Sequence, residues 1–192
     1  MTDFVHLHLH TEYSLLDGAV KVDDLVRHCK ENNIDTVAVT DHGNMYASLK
    51  FSEKCKKNKI KAIVGCEFYV VDDYREHIDQ RADHLILLAK NKAGYVNLVQ
   101  LDSLAFVDGY YYRPRIDYTV LKEHTNGVIC LSACLAGRIP RLLLAGEYEK
   151  AKALALDVEL YVTGSLNTFA QKTNVSLDRS LIAFEIRELG SA

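Results

Sequence analysis

Short apolar runs alternate with longer amphipathic segments through most of this chain, and that alternation is the strongest constraint on how it can fold. Phe4 to Leu9 reads as a strand. Val22 to Asn32 reads as a helix, with Val22, Leu25, Val26 and Cys29 at the spacing of one helical face. Thr36 to Thr40 (TVAVT) is a β-branched strand, Met45 to Asn58 a helix, and Ala62 to Val71 a third strand. His84 to Ala89 (HLILLA) follows as a strand, Tyr95 to Ala105 as a helix, and Val128 to Ser132 (VICLS) as a strand. Helices are expected at Arg138 to Ala145 and Tyr148 to Leu156. Strands spaced by helices predict an α/β fold, with a mostly parallel sheet or barrel. Tyr110 to Asp117 (YYYRPRID) is expected to be an irregular insertion, because Pro114 cannot donate within a central strand.

Chemistry concentrates where these runs end. The first strand reads VHLHLHT, so His6, His8 and His10 recur every second residue and are expected on one face. Asp41-His42-Gly43 follows TVAVT, Glu67 interrupts the apolar run IVGCEFYV, and Cys134 follows VICLSA. Asp17-Gly18 closes the loop after the first strand, and His84 opens HLILLA. In parallel α/β folds reactive groups gather at the carboxyl ends of strands. His84, at the start of its run, fits that rule only if the strand boundary there is misplaced. Several imidazoles with carboxylates and one thiol suit Zn²⁺, Mn²⁺ or Fe²⁺ better than Mg²⁺ or Ca²⁺. Such a cluster can hold more than one ion and serve phosphoryl chemistry.

Plainer readings stand beside these. Asp17-Gly18 also fits a simple turn, and an isolated Cys134 also fits a small buried hydrophobe. Glu67 resists a plain reading, since an unpaired buried carboxylate is strongly unfavourable. His28, His77 and His124 lie among polar residues and read as solvated; the lysines from Lys54 to Lys61 read as a solvated helix face. At 192 residues the chain suits one domain. Its five cysteines form no CxxC pair and nothing resembles a signal peptide, so a reduced, cytoplasmic chain is expected. No apolar stretch approaches the roughly 20 residues of a membrane helix. A net charge of −3 offers no general attraction for polyanions, so any nucleic-acid contact has to come from a local site.

HLHLHTEYSLLDGA, VAVTDHGNMY, IKAIVGCEFYV, ADHLILLAKNKAGYVNLVQL, YYRPRID and VICLSACLAGRIPRLLL together resemble, in order and spacing, the PHP (polymerase and histidinol phosphatase) domain that opens bacterial DNA polymerase III alpha subunits. The likeness runs from about Phe4 to Leu156. HxH and TDHG indicate the PHP superfamily alone; YYRPRID and LSACLAG narrow it to the polymerase branch. The resemblance implies a distorted (β/α)₇ barrel with up to three divalent metal ions. It implies His8, His10, Asp17, His42, Glu67, His84 and Cys134 as ligands, with Asp41 orienting His42 or a neighbour and His6 at most supporting. It further implies a metal-dependent phosphoesterase or 3′–5′ exonuclease acting on DNA 3′ ends, beside the remaining polymerase III domains and replisome subunits. Alternatives are a stand-alone phosphatase of small monoesters and a metal-bound scaffold without turnover.

The same resemblance makes residues 1–157 an incomplete PHP domain. The family's final Asp-x-His ligand pair has no counterpart after Cys134, so weaker metal binding is expected. Residues 158–192 form a non-family segment in which KTNVSLDRSLIAFEIRELG resembles, more weakly, a conjugative type IV secretion ATPase. No Walker A loop accompanies it. VELYV and SLIAFEI are its strand-capable runs. The expectation is a marginal C-terminal region after a junction near Asp157.

Overall fold

The computed structural model describes residues 4–161 and 183–184. In chain order the elements are α1 (Val22–Glu31), β1 (Thr36–His42), α2 (Ser48–Lys57), β2 (Lys61–Val71), β3 (Asp83–Ala89), α3 (Lys92–Val107), β4 (Tyr110–Tyr111), β5 (Arg113–Asp117), α4 (Tyr118–Lys122), β6 (Val128–Leu131), α5 (Arg138–Leu144), α6 (Tyr148–Tyr161) and β7 (Ala183–Phe184). The fold is mixed α/β. The strands order β4-β5-β2-β3-β6-β7, with β1 also beside β2, and no pairing among the described residues closes them into a barrel.

The sheet is not mostly parallel. β1 and β5 run parallel to β2, whereas β2–β3, β3–β6, β4–β5 and β6–β7 are antiparallel. The reason lies between β2 and β3, where residues 72–82 contain no helix. Parallel neighbours need a crossover, and a chain without one folds straight back.

Two further expectations are corrected. Tyr110 to Asp117 is a strand ribbon: β4 pairs with β5, and β5 pairs with β2 from Arg115 to Asp117. Pro114 is tolerated because the β2 ladder begins one residue after it. Phe4 to Leu9 is extended but forms no regular strand. Ala38 N–H donates to His6 O and Thr40 N–H to Leu9 O, so the first segment advances one residue more than β1 between bonds. Leu9 N–H turns to Thr40 Oγ1 at 3.0 Å. The extra residue breaks the expected period, and His6 ends exposed, edge-on to Phe4, at a centroid distance of 4.8 Å.

The core explains how the site is held. On α1, Val22, Leu25, Val26 and Cys29 pack with Phe51 and Cys55 of α2 against Val37 and Val39 of β1. On the same side of the sheet Cys66, Phe68 and Val70 of β2 meet Leu98, Leu101 and Ala105 of α3. Each fully buried side chain of this size contributes about 1.5–3 kcal/mol. Strand alternation then sends Thr40 and His42 of β1, Gly65, Glu67 and Tyr69 of β2, and His84 and Ile86 of β3 to the opposite face. There Ala38, Ile86, Leu88, Leu131 and Ala133 form a second apolar layer beneath the polar residues.

The expected tail junction and the secretion-like motif lie largely outside the described residues. Within them, Val158–Tyr161 of VELYV continue α6 rather than a strand, and Ala183–Phe184 pair with β6.

Candidate metal centre

Glu67 organises the site. It is fully buried, and β2 carries it between β1, where His42 is its register partner, and β3, where His84 stands opposite Tyr69 two residues further on. Glu67 Oε2 lies 3.1 Å from His8 Nε2, 3.0 Å from His10 Nε2 and 3.2 Å from His42 Nδ1. Its Oε1 lies 2.6 Å from His84 Nδ1. The carboxylate is thus shared by two groups with metal-ligand spacing, His8–His10–Glu67 and His42–Glu67–His84.

His84 belongs there because β3 is antiparallel. The first residues of an antiparallel strand lie beside the last residues of its neighbour, so the opening of β3 reaches the same rim as the carboxyl end of β2. The strand boundary read from sequence was sound; the assumed direction was not.

Asp17 and Cys134 stand at the margin. Asp17 Oδ2 is 3.1 Å from His42 Nε2, on the solvent side. The exposed Cys134 Sγ is 3.9 Å from His84 Nδ1 and accepts the Ala136 N–H. Neither falls within the two tight groups.

Burial opposes ionisation of Glu67, but hydrogen bonds from His10, His8 and His84 outweigh it and hold the carboxyl far below its usual range. Burial likewise lowers His10, yet Glu67 beside it leaves the ring more basic than usual. His42 goes the other way: burial dominates and leaves it harder to protonate. His42 Nδ1 sits within ion-pair distance of Glu67 but makes no aligned hydrogen bond, so a buried ring nitrogen is left without a partner. Four imidazoles, one of them with an orphaned ring nitrogen, and a buried carboxylate form a donor set that fits divalent borderline metals.

Asp41 is buried and accepts from Thr11 N–H at 2.6 Å, Thr11 Oγ1 at 2.8 Å and Ser14 Oγ at 2.8 Å. Ser14 Oγ also accepts the His42 backbone N–H and lies 3.3 Å from His10 Nδ1. A hydroxyl has one proton, and Asp41 takes it, so His10 Nδ1 must be the donor to Ser14. His10 Nε2 is then the nitrogen that faces Glu67 and His8: it donates to Glu67 when the ring is protonated and offers a lone pair to a metal when the ring is neutral. Asp41 therefore orients His10 through Ser14, a residue not singled out from the sequence. A hydroxyl four residues beyond His10 was its only signal.

Tyr69 was also missed. Its ring stacks on His42 at 6.1 Å and meets His84 edge-on at 5.3 Å. Gly43, at φ +57°, lets this wall close, since a Cβ there would lie 2.8 Å from Pro114 Cγ and 2.9 Å from Tyr69 Cε2.

The chain is 51% identical over 154 residues to the DNA polymerase III subunit alpha of Treponema pallidum, and 46% identical over 154 residues to that of Borreliella burgdorferi. Each match covers 78% of this chain and 13% of the relative. The Chlamydia muridarum subunit matches at 44% over 163 residues, covering 82% of this chain and 13% of the relative. Among solved structures, an amidohydrolase from Chromobacterium violaceum aligns at TM-score 0.38 and 18% identity, over 52% of this chain and 34% of its own. A family model described as PHP domain matches residues 6–164, most of the sequence, and the chain belongs to the PHP domain family.

Proposed function

We propose that this domain is a metal-dependent phosphoesterase that removes nucleotides from DNA 3′ ends, and that it serves within a polymerase III alpha-type protein of the cytoplasm. The observation that carries the reading is Glu67, a buried carboxylate with four histidine nitrogens around its two oxygens. Scaffolding alone gives no reason to bury a carboxylate among four half-buried imidazoles, because desolvation opposes its charge. Zn²⁺, Mn²⁺ or Fe²⁺ would be held by His8, His10, His42, Glu67 and His84, with Asp17 and Cys134 as the outer candidates. Bound there, the ions supply a Lewis acid for phosphoryl oxygens and an activated water. The protein's own part is to fix the His10 tautomer through Ser14 and Asp41, and to hold His42 against Tyr69.

The 41–51% identity to alpha subunits supports DNA as substrate and the other polymerase III domains and replisome subunits as partners. The chain spans 13% of the length of those first relatives. A truncated, distorted (β/α)₇ barrel is the architecture this reading favours.

The test is metal analysis of the purified chain paired with hydrolysis of 5′-labelled single-stranded DNA. Chelator-sensitive shortening from the 3′ end is expected. Metal uptake without cleavage of DNA or of a phosphate monoester would leave a scaffold, and no uptake would remove the metal centre itself.

A further inference from the structure

Next to the metal centre lies a cavity of about 570 Å³ whose lining includes His84, Arg81, Tyr111, Tyr112 and Arg113. His84 belongs to both places, so the cavity continues the site rather than standing apart from it. We propose that Arg113, Arg81 and Tyr112 form a subsite for a single-stranded polynucleotide, holding the sugar-phosphate backbone and one unstacked base beside the phosphate at the metal centre. The proposal rests on the phosphoester reading above and adds to it the residues that would hold the strand beside the reacting phosphate.

Three observations support it. Arg113 lies over the Tyr69 ring at 4.9 Å, so its guanidinium is placed one ring away from His42 and His84. Neither Arg113 nor Arg81 forms an ion pair among the described residues; Asp79 is the carboxylate in the lining, and Arg115 adds a third guanidinium. Arg115 cannot serve as a ligand itself, because it is buried and its donors go to the carbonyls of Gly109, Ile78 and Glu76. It adds positive charge behind the cavity wall.

The aromatic part is equally specific. Tyr111 is covered by His77, at 5.5 Å and 9° between planes, and by the Arg115 guanidinium. Tyr112 is 77% exposed and touches Tyr111 edge-on, leaving its ring free. Its backbone is left-handed at φ +59°, an unfavourable conformation for a tyrosine that lifts the ring out of the ribbon. Guanidinium groups beside an open aromatic face are the groups that track phosphates and stack bases. The volume exceeds what one phosphate needs, and the chain's net charge of −3 makes this local cationic wall the more distinctive.

The experiment measures binding of a fluorescein-labelled oligothymidylate of about eight nucleotides to the whole chain in chelator, so that no hydrolysis intervenes. Titrations run across a salt series, with thymidine monophosphate and inorganic phosphate as competitors. Arg113→Ala should weaken oligonucleotide binding about tenfold and flatten the salt slope by about 0.7, the value for one single-strand phosphate contact. Arg113→Lys should restore the slope, and Tyr112→Ala should weaken binding without changing it. Circular dichroism confirms that each variant is folded. An unchanged salt slope in Arg113→Ala, or wild-type protein that prefers the monophosphate or phosphate to the oligonucleotide, overturns the subsite. Failure of the metal and cleavage tests above would instead strike the phosphoester reading, since this binding assay contains no metal.

Discussion

Asp102 on α3 offers a test of how burial acts in this fold, far from the metal ligands in sequence. Burial pushes its carboxyl from 3.8 up to about 6, against a hydrogen bond from the Met45 backbone that works the other way, and its Oδ1 has no partner. A shift of that size corresponds to about 3 kcal/mol against the ionised folded state. Asp102 is only half-buried, so solvent screening reduces this to about 1–2 kcal/mol. Asp102→Asn keeps an acceptor for Met45 and removes the charge. The sign follows from linkage: the folded state holds the proton more tightly than the unfolded chain, so the penalty is complete above the folded pKa and disappears below the unfolded one. The variant should therefore be more stable than the parent by about 1–2 kcal/mol near pH 8, with the gap narrowing through pH 6 and closing near pH 4. Urea titrations of both proteins in chelator, at several pH values, measure the difference directly. A gap that does not change with pH, or a variant that is less stable near pH 8, would refute the burial argument.

Other perturbations address the site. Ser14→Ala removes the acceptor for His10 Nδ1 and one partner of Asp41; metal affinity measured by competition with a chromogenic chelator should fall about tenfold, with the fold retained. Glu67→Gln removes the charge shared by both histidine groups, and uptake of Mn²⁺ or Zn²⁺ by calorimetry should weaken by more than about 100-fold. Gly43→Ala places a Cβ against Pro114 and Tyr69 at positive φ, and thermal melts should show a loss of about 2 kcal/mol or more.

Much of this site could be read from the sequence because its residues interrupt otherwise apolar strands. Glu67 within IVGCEFYV could be buried only with partners, and its partners are the histidines of HLH, DHG and DHL. The α1 face was equally legible, since Val22, Leu25, Val26 and Cys29 follow one helical stripe and all are buried. Strand direction was not legible. Hydrophobic periodicity is the same whichever way a strand runs, so HLILLA could not reveal that β3 returns beside β2. Nor could it show the extra residue between His6 and Leu9, which arises from how Thr40 diverts the Leu9 N–H. Ser14 and Tyr69 were hidden for a different reason: each acts through a neighbour, and that neighbour is fixed by tertiary packing.

The YYRPRID segment shows how these limits bear on function. As an insertion it would have no consequence for the metal centre. As β5 it extends the sheet past the end of β1, and its Arg115 carries the carbonyls of Glu76 and Ile78 on the connection between β2 and β3. That connection decides where β3 starts. Side chains alternate along a strand, so a one-residue slip of β3 against β2 would turn His84 to the α3 side and put Asp83 or Leu85 opposite Tyr69 in its place. Asp83 is already engaged with Arg138 and Arg141, which opposes the slip from the other face. The histidine at Glu67 Oε1 is thus set by contacts on both sides of the sheet. A buried arginine whose hydrogen bonds go to backbone carbonyls, otherwise an unfavourable choice, is explained by the connection it fixes.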